Sequence, residues 1–136
     1  MDEKLAELFD ALHFHPDIVK ASRQLFIDGY FAQAIFEAFK MLEVFVKEKS
    51  REQSLNGLRL MARVFDEKKP ILKLNDLSSQ SEIDEQAGFK FLYMGAMRGI
   101  RNPKAHEYIV QDNPFRTLKY LAIASLLVER VEESKY

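Results

Sequence analysis

The stretch MRGIRNPKAHEY, residues 97–108, gathers the side chains of this sequence best suited to chemistry. Arg101 and His106 stand five positions apart, with Asn102, Pro103 and Lys104 among the residues between them. Arginine carries a permanent charge on a planar fork of donors that matches a phosphate group. Histidine can take up or release a proton near neutral pH. In an unbroken helix, residues five apart lie about 140° apart around the axis, so these two side chains would diverge. Pro103 interrupts that geometry. Proline disfavours the α conformation in the residue before it, here Asn102. Asparagine followed by proline also suits the start of a new helix. One helix should therefore end near Arg101, with a short helix or turn in PKAHEYIV directly after it. Arg101, His106 and the free N–H groups of the new turn then meet at one corner. Such a corner suits an anion, and phosphate above all. Arg98, three residues before Arg101, can share its helix face and add to the positive field. Lys104 is a candidate for the same part.

Each of these residues also has a structural reading. His106 can be a hydrogen-bonded surface histidine at a helix start. Arg101 can be a C-terminal cation favoured by the helix dipole. Asn102 can be a cap only, and Arg98 and Lys104 solvated charges. Elsewhere the chemical signals are weaker. His13 and His15 form an H-x-H pair with no third ligand nearby, so a helix-breaking loop is expected there and no metal site. No Gly-rich phosphate loop, nucleophile elbow or H-E-x-x-H pattern is present. The acids Glu82, Asp84 and Glu85 read as charge at a helix N-terminus.

The elements that must position the corner are helices. The chain has 136 residues, five Gly, four Pro and no Cys, and 47% of it is hydrophobic. Disulfides and thiolate metal sites are thereby excluded. Apolar residues recur at three- and four-residue spacing, which predicts helices. One is expected over 2–12. A second starts at Pro16 and carries Ile18, Val19, Ser22, Leu25 and Phe26. A third runs over 30–49, with a broad stripe from Phe31 to Val46; Phe36 and Val44 lie off that stripe and predict contact on two sides. A fourth is expected over 54–66, capped by Ser54, with Leu55, Leu58, Met61, Ala62 and Phe65 inward. Residues 67–82 read as a long loop or lid. Helix returns near Ile83 and runs to Arg101. Its small residues Gly88, Gly95, Ala96 and Gly99 permit close packing against a neighbour, and three glycines in one helix call for such a contact, since glycine weakens a helix interior by up to about 1 kcal/mol. A last helix starts after Asn113 and Pro114, with Leu118, Leu121, Ala122, Ser125, Leu126 and Val128 on its inner face. Phe36, Phe39, Phe89 and Phe91 read as core. The fold class is all-α: one helical bundle of five or six helices over residues 1–136, with 1–15 as an N-terminal helical extension.

Net charge is −1. A protein that holds nucleic acid mainly by its bulk field would be more basic. The charge is uneven, however. Asp2, Glu3, Glu7, Asp10 and Asp17 against Lys4 give the first 17 residues −4. Arg98, Arg101, Lys104, Arg116 and Lys119 against Glu107 and Asp112 give residues 98–119 +3. No apolar run approaches the roughly 20 residues that span a bilayer. The acidic, amphipathic N-terminus is unlike a signal peptide, so a cytoplasmic protein with no membrane partner is expected.

RNPKAH, Arg101 to His106, resembles the signature of the HEPN superfamily (higher eukaryotes and prokaryotes nucleotide-binding domains): an arginine, a polar residue, a short spacer and a histidine. FKFLYMGAMRGI resembles the helix that carries the motif there. DGYFAQAIFEAFKMLE, residues 28–43, resembles the superfamily's long second helix. The resemblance covers most of residues 16–131, and its nearest branch is the prokaryotic Ymh-like group associated with phage defence and mobile elements. It implies a helical bundle that forms a homodimer with the two motifs facing one cleft. It implies a metal-independent endoribonuclease, without cofactor, that leaves a cyclic phosphate and a 5′-hydroxyl. His106 would act as general acid or base, and Arg101 would hold the scissile phosphate. Asn102 would orient one of them or touch RNA. A toxin-like or phage-defence effector, with an antitoxin or defence-system partner, follows from the same likeness. The near-neutral charge favours a second reading: a non-catalytic helical module for dimerisation, interaction or nucleotide binding in a defence system.

Overall fold

A computed structural model describes residues 2–101 and 112–136. Six α-helices order the described residues: α1 Asp2–Asp10, α2 Pro16–Ile27, α3 Phe31–Ser50, α4 Gly57–Val64, α5 Gln80–Gly95 and α6 Pro114–Glu133. No strand occurs among them; Lys73 and Lys135 form one isolated antiparallel bridge. The all-α bundle expected from the apolar spacing is therefore what forms.

α3 is the central helix. Ala34, Ile35, Ala38, Phe39, Leu42 and Val46 on it are fully buried. It touches α2, α4, α6 and the segment that follows α5. Of the two residues off its stripe, Phe36 is half-buried and Val44 exposed. Phe9 of α1 packs edge-on against Phe14, with ring centres 5.1 Å apart.

α2 starts as proline at a first helical position demands, but the cap before it is a histidine. His15 Nδ1 accepts the Asp17 N–H at 3.0 Å. That acceptance leaves the proton on Nε2, which faces Glu132 Oε2 of α6 at 3.1 Å. The His15 N–H donates to Ser125 Oγ at 2.8 Å. The histidine-rich break thus ties α2 to α6, and His15 is fully employed in doing so.

Several expectations need correction. α4 begins at Gly57, three residues after the cap expected at Ser54. Ser54 is instead folded back onto Glu52, whose Oε1 accepts both its N–H and its hydroxyl. Leu60 and Val64 are fully buried on α4, whereas Leu55, Leu58 and Ala62 are half-buried. α5 starts at Gln80, ahead of Ile83, because Ser79 Oγ accepts the Glu82 N–H at 3.2 Å. Glu82 in turn receives the Ser78 N–H and hydroxyl, each at 2.8 Å. This serine-to-glutamate exchange at a helix start is a capping arrangement, shifted by one residue on its return side.

The loop read as a lid is sewn down. Leu72 is fully buried within it. Gln86, fully buried on α5, accepts the Leu74 N–H at 2.9 Å and donates to the carbonyls of Phe65 and Leu72 at 3.1 Å. Lys90 reaches Glu67 at 2.8 Å, and that hydrogen bond holds the Glu67 carboxyl below the ordinary carboxylate range. One glutamine amide satisfies three backbone groups that have no helix to serve them. Gln86→Leu is expected to cost about 2–3 kcal/mol, since buried groups left without partners carry a penalty of about 1–3 kcal/mol each and some relax to water. Thermal unfolding measures the loss, and limited proteolysis should then cut first within residues 66–79.

Among the described residues nothing packs against the three glycines, whereas Ala96 beside them is buried. Gly88, Gly95 and Gly99 are exposed, and a methyl group added at any of them meets nothing within 4 Å. Phe91, read as core, is 63% exposed. On α6, Ala122 and Leu126 face outward, while Ala124 and Leu127 take the inner positions. α5 and α6 run antiparallel: Arg130 pairs with Glu85 at 3.4 Å, and Tyr93 donates to the Leu127 carbonyl at 2.8 Å. Between them a groove of about 340 Å³ is lined by Phe91, Leu92, Gly95, Ile123 and Leu126 among others. This face is apolar and has no partner among the described residues.

Candidate active site

The helix that carries the RNPKAH motif changes its geometry just before the motif. α5 ends at Gly95, and Ala96–Arg101 continue as a π-helical segment. Such segments widen the turn by taking hydrogen bonds five residues apart, and they concentrate at functional sites. The inner side of this one is anchored by Ala96 and Met97, both buried. The widening has a direct consequence. Residues three apart are spread further around the axis than in an α-helix, so Arg98 and Arg101 do not share a surface. Arg98 is exposed to solvent, whereas Arg101 turns toward the core.

Arg101 is held from two directions. Its Nη2 lies 3.1 Å from Oε1 of Glu43, and its side chain keeps 25% exposure. The Phe36 ring lies beneath the guanidinium, 5.8 Å from ring centre to Cζ. Phe36 and Glu43 are seven residues apart on α3, two turns along one face. A carboxylate and an aromatic ring together restrict where a guanidinium can lie.

Glu43 is itself fixed. Its side chain is 7% exposed, and its Oε2 accepts the Gly57 N–H at 2.6 Å. Gly57 has φ +54°, a left-handed conformation that glycine adopts without strain. One buried carboxylate therefore joins α3, the start of α4 and the end of the motif helix. A buried carboxylate is tolerated when it is paired and hydrogen-bonded, and both conditions hold here.

Of the sequence-predicted site residues, Arg101 and Arg98 are placed as above. Asn102, Lys104 and His106 lie outside the described residues, as does the expected short helix or turn in PKAHEYIV. No group of three or more potential metal-binding side chains occurs among the described residues. His13 is exposed, and His15 caps α2. Glu43 was missed by sequence reasoning. Its signal was present: an acid with Phe39 four residues before it and Val46 three residues after it sits on the buried stripe of α3.

Residues 12–131 match a family model described as a protein of unknown function, Hypoth_ymh. The chain belongs to the Hypoth_ymh family. The Ymh-like branch named from the motif and its lead-in is thereby borne out. No curated protein and no solved structure matches this Hypoth_ymh chain. The matched span includes the Glu43–Arg101 pair, the π-helical segment and the motif. Among the described residues of the Hypoth_ymh chain, no helix is long and apolar enough to cross a membrane.

Proposed function

We propose that this Hypoth_ymh chain is a HEPN-type, metal-independent endoribonuclease that cuts RNA at a cleft between two protomers. The observation that carries this reading is Arg101. Its guanidinium is oriented by Glu43 and Phe36 at the last turn before Asn102-Pro103, and His106 follows within one short segment. In the proposed reaction the ribose 2′-oxygen attacks the adjacent phosphorus and the P–O5′ bond breaks. A base takes the 2′-hydroxyl proton, and an acid delivers a proton to the departing 5′-oxygen. The products are a 2′,3′-cyclic phosphate and a 5′-hydroxyl. His106 fills one proton-transfer role, and the His106 of a second copy fills the other. Arg101 binds the scissile phosphate and offsets the charge that grows on it in the transition state. Asn102, Arg98 and Lys104 contact the flanking strand. The biological setting proposed with this activity is a toxin-like or phage-defence effector in the cytoplasm, with an antitoxin or defence-system partner.

The second copy is supported by the apolar face of α5 and α6. An isologous contact needs one patch that holds both projections and a hollow. Phe91, Leu92 and Leu126 project, at 63%, 54% and 51% exposure, and Gly95 leaves the hollow open. The patch lies on the helix that ends at Arg101. Leu126→Glu is expected to convert a dimer into a monomer of 15.9 kDa in light scattering, with the helical circular dichroism unchanged. A variant that stays dimeric would remove this face from the reading.

The test of the activity is RNA incubated with the protein in excess chelator. Fragments with 5′-hydroxyl and cyclic-phosphate ends support the proposal. Loss of cleavage on chelation, or 5′-phosphate ends, rejects it. One observation favours the second reading, a non-catalytic dimerisation, interaction or nucleotide-binding module: the ion pair with Glu43 gives Arg101 a structural task of its own. That reading expects no cleavage and retained self-association.

A further inference from the structure

We infer that Glu43, a residue outside the motif, is the positioning residue that makes Arg101 competent to hold a phosphate. This inference rests on the ribonuclease reading and deepens it. An arginine at a helix end has many rotamers, and one aimed correctly at a phosphate must have lost most of them beforehand. Glu43 removes that freedom. Its Oε1 engages one edge of the guanidinium at 3.1 Å, while its Oε2 is tied to the Gly57 N–H at 2.6 Å. The carboxylate is 7% exposed, so water competes little for either contact. The Phe36 ring adds a second contact, 5.8 Å from its centre to the guanidinium Cζ.

The arrangement separates two functions that one arginine would otherwise combine. Glu43 meets the guanidinium at Nη2, and a bidentate phosphate contact needs two N–H donors held in one plane. The carboxylate also lowers the net charge of the pair toward zero. Arg101 therefore selects its ligand by the geometry of its donors more than by a free positive charge. A phosphodiester, whose two non-bridging oxygens can meet one edge of the fork, fits that description.

The test is a double-mutant cycle on the full chain with Glu43→Gln and Arg101→Ala. Glutamine keeps an oxygen for the Gly57 N–H and removes the charge that holds Arg101. Glu43→Gln is expected to lower kcat for RNA cleavage by about 10–100-fold, the scale on which small misplacements of a reacting group act. The double variant should then be no slower than Arg101→Ala alone, because Glu43 acts through Arg101. Independent additive losses would assign Glu43 a general structural role and overturn the inference. Unchanged cleavage by Glu43→Gln, beside a large loss in Arg101→Ala, would overturn it while leaving the ribonuclease reading intact. Absence of cleavage in the parent would end both. Guanidinium NMR gives a readout free of activity: slow rotation of the Arg101 Nη groups is expected in the parent and fast rotation in Glu43→Gln, and equal rates in the two would overturn the inference.

Discussion

His106→Ala is expected to lower the rate of RNA cleavage by about 10²–10⁴-fold, the usual contribution of one positioned proton-transfer group. Unchanged helical circular dichroism in the variant is the control that separates a loss of rate from a loss of fold. Arg101→Ala is expected to lose about 10²–10³-fold, the scale of removing one donor that stabilises transition-state charge. The two losses should not add, since neither group acts usefully without the other. Mixing the parent with His106→Ala offers a further measurement. If each cleft draws one histidine from each protomer, heterodimers carry only one imidazole per cleft, and activity should fall faster than in proportion to the parent fraction. If each protomer acts alone, activity should follow the parent fraction linearly. Equal cleavage by His106→Ala and parent in excess chelator would reject the assignment of His106.

Much of the fold was legible because one helix dominates it. The stripe of α3 has the right period and few interruptions, and its buried apolar residues all lie on that stripe, with Phe45 half-buried and Glu43 and Ser50 the buried residues it did not predict. The errors arose where two stripes compete. α6 has apolar residues on both sides, and its inner and outer rows differ by a rotation of one residue. Leu126 and Leu127 are adjacent in sequence, yet one is half in water and the other is buried. Periodicity alone gives no preference between them. Phe91 fails for a related reason, because an aromatic residue is read as core unless another surface claims it. The site divides along a different line. The break at Asn102-Pro103 is a local signal and is visible in two residues. Glu43 joins Arg101 through tertiary contact, with Gly57 as a third party, and no spacing rule links those three positions. Gln86 is similar: it is a polar residue inside a helix, and only the path of residues 66–79 explains it.

Tyr93→Ala should be the most destabilising single change among those considered, at about 4 kcal/mol, within the range of about 3–5 kcal/mol for truncating a buried aromatic. For a chain of this length that corresponds to a fall in Tm of roughly 15 °C. Tyr93 is fully buried on α5. Its ring stacks on Phe65, just after α4, with centres 4.1 Å apart and planes 7° from parallel. Its hydroxyl donates to the Leu127 carbonyl of α6 at 2.8 Å. Burial pushes the phenol well above its ordinary pKa, so it stays a neutral donor at any pH at which the protein folds. Tyr93→Phe keeps the stacked ring and loses only the hydrogen bond, so about 1 kcal/mol is expected. The difference between the two variants measures the ring. The effect reaches the site because Tyr93 anchors α5 three residues before the π-helical segment begins at Ala96. Packing of the ring between α4 and α6 holds that helix in register, and the register determines whether Arg101 arrives at Glu43. Tyr93→Ala is therefore expected to cost cleavage even at temperatures where most of the protein is folded. Tyr93→Phe should leave the rate within about twofold, since a loss near 1 kcal/mol in stability does not empty the folded state.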